Sequence, residues 1–166
     1  MVIRKEQPSD VGGIADITKA AFTNHPYSRV TEHFIINALR AADALTLSLV
    51  AEMDGTPVGH VAFSPVTFTD GTEHWYGLGP VSVLPAYQKQ GIGTHLINKG
   101  LEGLKDVGAR GCVVVGEPAF YTRFGFQNPD QLKHERVPRE NLLALSFCNE
   151  MPAGIVAFHR AFGATE

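Results

Sequence analysis

The sequence predicts one domain of the α+β class, built around a mostly antiparallel sheet, and three observations lead to this prediction. Three consecutive segments between residues 47 and 83 are typical of strands in an antiparallel meander. Two amphipathic helical patterns precede these segments. A strand, a helix and a second strand follow them, and this order predicts a right-handed parallel crossover.

The N-terminal part is predicted to form one strand and two helices. Val2 begins a short strand that ends before Pro8, after which Ser9 and Asp10 can cap a helix. Apolar residues then recur at helical spacing: Val11, Ile14, Ile17, Ala21 and Phe22. Thr31 can cap a second helix with its own apolar face: Phe34, Ile35, Ala38 and Leu39.

The meander is predicted over residues 47–53, 58–68 and 74–83. Asp54-Gly55 and Asp70-Gly71 lie between these strands, and Asp-Gly is a strong signal for a tight turn. Pro80 lies inside the third strand of the meander, where it has no N–H to donate to the ladder. We therefore expect a bulge or splay just before Val81, which opens a slot beside this strand.

The C-terminal half is predicted to begin with a helix from about Gly91 to Gly108. A buried strand follows over residues 111–116, and Pro118 begins a short helix that Gly125 ends. Residues 127–141 are polar and predicted to be irregular. Two closing strands follow, over residues 142–148 and 155–159. The whole chain thus has about six or seven strands and about four helices.

Composition limits the classes of function. The 166 residues are expected to form a single domain over residues 1–166, and a net charge of −3 argues against a general nucleic-acid binder. Two cysteines are too few for a disulfide framework or a zinc site, so no metal is expected. No signal peptide and no run of about 18 apolar residues is present, so we expect a cytoplasmic protein without membrane contact.

The turn before the long helix is predicted to bind an anion. The first N–H groups of a helix have no partner within it, and the flexible backbone around Gly91 and Gly93 exposes them. A P-loop requires Lys and then Ser or Thr after its last glycine, but Thr94 and His95 follow Gly93. A dinucleotide fingerprint requires a third glycine, which is missing as well.

The spacing Gln88-x-x-Gly91-x-Gly93 resembles the pyrophosphate signature of the GNAT superfamily of acyl-CoA-dependent N-acyltransferases. Residues 81–85 resemble that family's fourth strand, and residues 120–126 resemble its segment of a tyrosine followed by Gly-Phe. Further stretches are similar to the YhbS-type branch of small predicted acetyltransferases: residues 49–52, 58–65, 78–80, 116–118 and 154–162. That branch often has Asp-Pro and two tyrosines where this chain has Glu117-Pro118 and Phe120-Tyr121.

The resemblance implies a GNAT-type fold with a splay between the fourth and fifth strands, and acetyl-CoA as co-substrate. It places the pantetheine arm along Val81, Ser82 and Val83, with the Val83 amide as the candidate donor to the oxyanion. The residues expected at the pyrophosphate are Gln88, Lys89, Gln90, Gly91, Ile92, Gly93 and Thr94.

Tyr121 falls at the position of the family's general acid, where a phenol of pKa about 10 can hydrogen-bond a leaving thiolate. The general base is less clear. Some members carry a Glu about a dozen residues before the signature, where this chain has Gly77. Glu117 is the candidate base, His60 and His74 could titrate near neutrality, and an amine of low pKa could need no base.

The loop between the first two helices walls the acceptor site in the resembled family, so His25 and Tyr27 are candidate acceptor contacts. The expected function is transfer of acetyl to a primary amine, of a small molecule or a peptide, by direct attack. The alternatives are a catalytically silent acyl-CoA sensor or regulatory module and an interaction domain without coenzyme. A homodimer through the C-terminal strands is a further option.

Overall fold

A computed structural model describes residues 1–26 and 28–166 of the chain. Its strands are β1 (Val2–Lys5), β2 (Leu47–Met53), β3 (Thr56–Phe68), β4 (Trp75–Val83), β5 (Gly111–Val115), β6 (Leu132–Lys133), β7 (Leu142–Ser146) and β8 (Gly154–Phe158). Its α-helices are α1 (Val11–Phe22), α2 (Glu32–Ala41), α3 (Ile92–Asp106) and α4 (Pro118–Tyr121). These elements confirm the predicted mixed fold with four helices.

The strands form one mixed sheet in the order β1-β2-β3-β4-β5-β7. Neighbours along this path are antiparallel except β4 and β5, which run parallel as the crossover through α3 predicts. β8 pairs with the far end of β3 and with β6. The expectation that residues 127–141 are irregular is wrong at β6, because Leu132 and Lys133 pair with β8 far along the chain.

The two connections of the meander differ. Asp54 and Gly55, at φ 52° and 78°, form a two-residue hairpin turn between the paired residues Met53 and Thr56. At Asp70-Gly71 a turn does form, in which the Gly71 N–H donates to the Phe68 carbonyl at 3.0 Å, but the expected tight connection to the next strand is wrong, since β4 begins only at Trp75. The Asp70 carboxylate accepts hydrogen bonds from the N–H groups of Thr72 and Ala153, which ties this longer link to the start of β8.

A bulge in β4 separates it from β5. Val61 pairs with Val81 and Phe63 pairs with Leu78, so Gly79 and Pro80 together oppose a single residue of β3. Pairing between β4 and β5 covers only residues 75–77 and 111–113. Beyond Gly77 the two strands diverge, which confirms the predicted splay.

Helices cover both faces of the sheet. On one face α3 buries a row of aliphatic side chains against β2 and β3: Leu96, Ile97, Leu101 and Leu104. On the other face, Ile14 of α1 and Ile36 of α2 pack against Val50. Each such buried side chain stabilises the fold by about 1.5–3 kcal/mol. None of the helices in the described part of the chain has the length and apolar character that crossing a membrane requires.

Asp10 does not cap α1 with its side chain as expected. Its carboxylate accepts two hydrogen bonds from the Arg4 guanidinium, at 2.7 and 2.8 Å, and one from the Gln7 N–H. The Arg4 hydrogen bonds lower the pKa of Asp10 to about 2. Asp10 therefore fixes the end of β1 to the start of α1.

A buried polar chain lies beneath α2. His60 is fully buried, and its Nε2 lies 2.7 Å from the Oγ of Ser48, which donates its proton to Glu6. Arg40 donates two hydrogen bonds to the same Glu6 carboxylate. Burial lowers the pKa of His60 to about 4, with an opposing contribution from Glu6. The expectation that His60 titrates near neutrality is therefore wrong, because the cost of desolvating its charged form dominates.

We expect the free energy of unfolding to decrease as the pH falls from 6.5 to 4. In this range the unfolded chain binds a proton at His60 and the folded chain does not. With a pKa of about 4 in the folded state and 6.5 in the unfolded state, the free energy of unfolding decreases by about 3 kcal/mol. The pKa values of Glu6 and Asp10 are also lowered, so the stability that these two carboxylates contribute is lost only at lower pH.

Urea unfolding at several pH values measures this slope, and His60→Gln is the control that removes the titrating ring. The same slope for both proteins between pH 6.5 and 4 would show that His60 is not its source.

Candidate active site

The turn between β4 and α3 is fixed by its own side chains and backbone. Gln88 donates a hydrogen bond of 2.9 Å from its amide to the carbonyl of Val83, which holds the turn against the end of β4. Lys89 and Gly91 have φ values of 64° and 85°, and Gly91 is the residue that precedes the first turn of α3. This left-handed geometry leaves the first N–H groups of a 15-residue helix open to solvent, where an anion is stabilised.

A groove of about 340 Å³ lies at this turn. One wall is the turn and the start of α3, and the opposite wall is the segment that begins with α4. The Arg123 guanidinium lies 4.5 Å from the centre of the Phe120 ring in that second wall. Ten residues line the groove: Val83, Tyr87, Gln88, Lys89, Gly91, Ile92, Gly93, Thr94, Phe120 and Arg123.

The structure thus brings together seven of the ten expected coenzyme contacts, and the other three lie close by. Gln90 is exposed on the turn, where its side chain makes a long 3.5 Å hydrogen bond to the Ala86 carbonyl. Val81 and Ser82 lie in β4 outside the groove lining. The Ser82 hydroxyl lies 3.3 Å from that of Thr18 in α1, so this side chain is on the opposite face of the sheet.

The backbone of β4 presents amides to the splay. Leu84 donates its N–H to the carbonyl of Val58 at 2.8 Å, across the β3 side of the strand. Alternation along an antiparallel ladder then directs the Ser82 N–H toward β3 as well. The N–H groups of Val81 and Val83 consequently point the other way, into the slot left by β5.

Tyr121 is buried at the end of α4, close to but outside the groove lining. Its ring lies edge-on to Phe120, with centroids 5.0 Å apart, and edge-on to Phe126 at 5.9 Å. Burial raises the pKa of Tyr121 to about 12, so the phenol stays neutral well above neutral pH. Its hydroxyl has no hydrogen-bond partner among the described residues, which leaves the proton available to a bound group.

The remaining candidates are separated from one another. Glu117 is exposed at the start of α4, and His74 is exposed just before β4. His25 lies in the link between α1 and α2, with its ring centre 5.6 Å from that of Phe22. Tyr27 falls outside the described residues. Among the three described groups, Glu117 is the one that directly precedes α4, the helix that carries the groove residue Phe120.

Gly77 could not carry a carboxylate in this fold without rearrangement. An added Cβ would lie 2.7 Å from a ring carbon of Phe158 and 3.1 Å from Val66. The Phe158 ring therefore occupies the space that a β4 side chain would take at this position.

Residues 13–126 match the family model described as the acetyltransferase (GNAT) family. The chain belongs to the GNAT family. It is 37% identical over 128 residues to the uncharacterized N-acetyltransferase YhbS of Escherichia coli K12. These residues cover 76% of this chain and 74% of that protein. The resemblance found in the sequence is thereby confirmed.

Two solved structures extend this similarity over almost the whole GNAT chain. A GNAT family acetyltransferase from Brucella melitensis, in complex with acetyl-CoA, is 50% identical, covers 97% of both chains and has a TM-score of 0.87. YhbS from Escherichia coli, in complex with CoA, is 30% identical, covers 99% of this chain and 93% of its own, and has a TM-score of 0.88. Within residues 1–26 and 28–166 no group of three His, Cys, Asp or Glu could hold a metal ion.

Three groove residues of this GNAT chain were not predicted from the sequence: Tyr87, Phe120 and Arg123. Phe120 and Arg123 are three positions apart, which places them on one face of a helical turn. An aromatic and a basic residue three positions apart, shortly after a buried strand, are the sequence signal that could have identified the second wall of the groove.

We expect Gly93→Glu to weaken acetyl-CoA binding at least about 100-fold while the protein stays folded. The nearest atom to an added Cβ is a Val83 methyl carbon at 3.9 Å, so the fold has room for the side chain. A carboxylate in the first turn is favourable for the helix but repels a phosphate bound there.

Isothermal titration calorimetry measures the affinity. His95→Glu is the matched control, because it adds the same charge to the first turn of α3 at an exposed position outside the groove. Equal acetyl-CoA affinity for Gly93→Glu and the control would refute the pyrophosphate assignment.

Proposed function

We propose that the chain transfers an acetyl group from acetyl-CoA to a primary amine by direct attack, within a single domain of residues 1–166. The observation that supports this most is the continuity of the anion-binding turn with the slot between β4 and β5. An anion held at residues 88–94 places an attached flexible arm beside the free amides of β4. A pantetheine thioester has this shape and this charge at one end.

The donor is proposed to bind through both walls of the groove. The N–H groups at Gly91 and Gly93 donate hydrogen bonds to the pyrophosphate oxygens, and Lys89 and Arg123 add positive charge from opposite sides. The pantetheine arm then lies along β4 like an added strand, hydrogen-bonded to Val81 and Val83. The Val83 amide is our proposed donor to the thioester carbonyl oxygen as negative charge develops on it.

The proposed acetyl transfer proceeds with no net gain or loss of protons. The amine nitrogen attacks the acyl carbon with its lone pair, the new C–N bond forms, and the C–S bond breaks with its electrons on sulfur. The Tyr121 hydroxyl donates its proton to the departing thiolate and is reprotonated from solvent, and the nitrogen loses one proton. Because the pKa of Tyr121 is raised to about 12, the phenol is fully protonated when the thiolate forms. Glu117 is the proposed acceptor, through water, of the proton from nitrogen.

The acceptor is proposed to enter beside the link between α1 and α2, with His25 and Tyr27 as candidate contacts.

A catalytically silent acyl-CoA sensor is the second candidate function, since Gly77 supplies no carboxylate to deprotonate an amine. Release of coenzyme A, measured with a thiol reagent over a panel of amines, separates the two. Amine-dependent release supports the transferase, whereas acetyl-CoA binding without release from any amine supports the sensor.

We expect Tyr121→Phe to lower kcat by about 10² to 10³ and to change acetyl-CoA affinity by less than about threefold. The substitution removes only a hydroxyl that no described residue holds, so the ring packing and the fold persist. Tyr87→Phe is the matched control, because it removes a phenol hydroxyl from the groove lining, to which Tyr121 does not belong.

Steady-state rates and calorimetric affinities of both variants, taken from pH 6.5 to 9, test this role. Turnover of Tyr121→Phe equal to that of the unmodified protein across this range would rule out Tyr121 as the acid.

A further inference from the structure

Packing, and not a hydrogen bond of its hydroxyl, fixes the phenol ring of Tyr121. Among the described residues no group donates to this hydroxyl or accepts from it. In the same part of the chain, the fully buried side-chain polar atoms without a partner are His33 Nδ1, His60 Nδ1 and Ser64 Oγ, so the Tyr121 hydroxyl keeps some exposed surface. Its distance from a reacting atom therefore depends on the contacts that place the ring.

Gly116 lies against this ring. It is the residue that follows β5, and a Cβ added to it would lie 2.4 Å from Cε2 of Tyr121 and 3.0 Å from Cδ2. Atoms that are not bonded to each other do not approach so closely, so a side chain at position 116 displaces the ring. The ring has little room to move, because Phe120, Phe124 and Phe126 pack around it, with ring centroids 5.0, 6.3 and 5.9 Å away.

Asn141 fixes the backbone of Gly116 with two hydrogen bonds. The Gly116 N–H donates to the Asn141 carbonyl at 2.9 Å, and the Gly116 carbonyl accepts from the Asn141 side-chain amide at 3.1 Å. The two residues are the next pair after Val115 and Leu142 in the antiparallel ladder of β5 and β7. The backbone N–H of Asn141 is donated to the Pro138 carbonyl, so its side-chain amide takes the place of that donor in the ladder.

The hydrogen bonds of Asn141 also bear on the backbone of Tyr121. The Gly116 carbonyl belongs to the peptide that joins Gly116 to Glu117, and the Glu117 carbonyl accepts the N–H of Tyr121 at 3.2 Å. Asn141 therefore fixes the start of α4, one helical turn before Tyr121. Gly116 separately limits where the Tyr121 ring can lie.

We propose that Gly116 and Asn141 are positioning residues for acetyl transfer, which keep the Tyr121 hydroxyl at the departing sulfur. Gly116 does this by having no side chain, and Asn141 by holding the Gly116 peptide in the ladder. The inference rests on the proposed role of Tyr121 as the acid. Neither positioning residue lines the coenzyme groove, so the affinity for acetyl-CoA does not depend on them.

We expect Gly116→Ala to lower kcat about 100-fold and Asn141→Leu to lower it about tenfold, because misplacing a reacting group by about 1 Å is enough to slow a reaction this much. Leucine has a similar size to asparagine and no N–H to donate. Both variants are expected to bind acetyl-CoA within about threefold of the unmodified protein. Gly13→Ala is the matched control with unchanged kcat, since a Cβ added there meets no atom within 4 Å.

Coenzyme A release with the amine that reacts fastest in the panel measures kcat, and calorimetry measures the affinity for acetyl-CoA. Unchanged kcat in both variants overturns the inference. A loss of acetyl-CoA affinity as large as the loss of kcat also overturns it, because it would show that the groove as a whole is disturbed.

A double-mutant cycle with Tyr121→Phe distinguishes positioning from a general loss of packing. Residues that act as a unit are not additive, so Asn141→Leu is expected to lower kcat less than about twofold once the hydroxyl is absent. Phenylalanine keeps the ring, so the packing is the same in both backgrounds. A tenfold loss in both backgrounds contradicts the positioning role. This cycle decides the matter even where Gly116→Ala does not fold.

The same measurements separate the positioning role from the function on which it rests. If no amine releases coenzyme A although acetyl-CoA binds, the acetyltransferase proposal fails and the positioning role with it. If Tyr121→Phe is as fast as the unmodified protein, the acid assignment is wrong and so is the positioning role. If Tyr121→Phe is slow while Gly116→Ala and Asn141→Leu keep full kcat, only the positioning role is wrong.

Discussion

The short pairing between β4 and β5 is the constraint on which the rest of the site depends. Only three residues of β4 pair with β5, because the bulge at Gly79 and Pro80 turns the remainder of the strand away. Backbone N–H groups that would otherwise complete a parallel ladder are left facing a slot. A sheet normally pairs or covers such groups, so an extended ligand that pairs with them is stabilised there.

The two faces of the sheet carry different groups. The α3 face carries the anion-binding turn, the Lys89 and Arg123 charges and the buried Tyr121, all of which suit the donor and its leaving group. The opposite face, under α1 and α2, carries the buried polar chain of His60, Ser48 and Glu6.

Local signals predicted most of the elements, whereas contacts distant in sequence explain the errors. The Gly and Pro positions predicted both ends of α3, the bulge and the start of α4. The link after β3 was mispredicted because Asp70 binds the Ala153 amide, 83 residues away. β6 was missed because two residues become a strand only through β8. Burial of His60 likewise arises from tertiary packing, which sequence patterns do not report.

We propose that acetyl-CoA pairs with the slot side of β4, and amide hydrogen exchange of single residues measures this pairing most directly. Val81 and Val83 carry the amides that face the slot, and Ser82 carries the amide that faces β3. Saturating acetyl-CoA is expected to slow exchange at Val81 and Val83, while Ser82 is already protected without it. Unchanged exchange at Val81 and Val83 in the presence of bound acetyl-CoA would contradict this pairing.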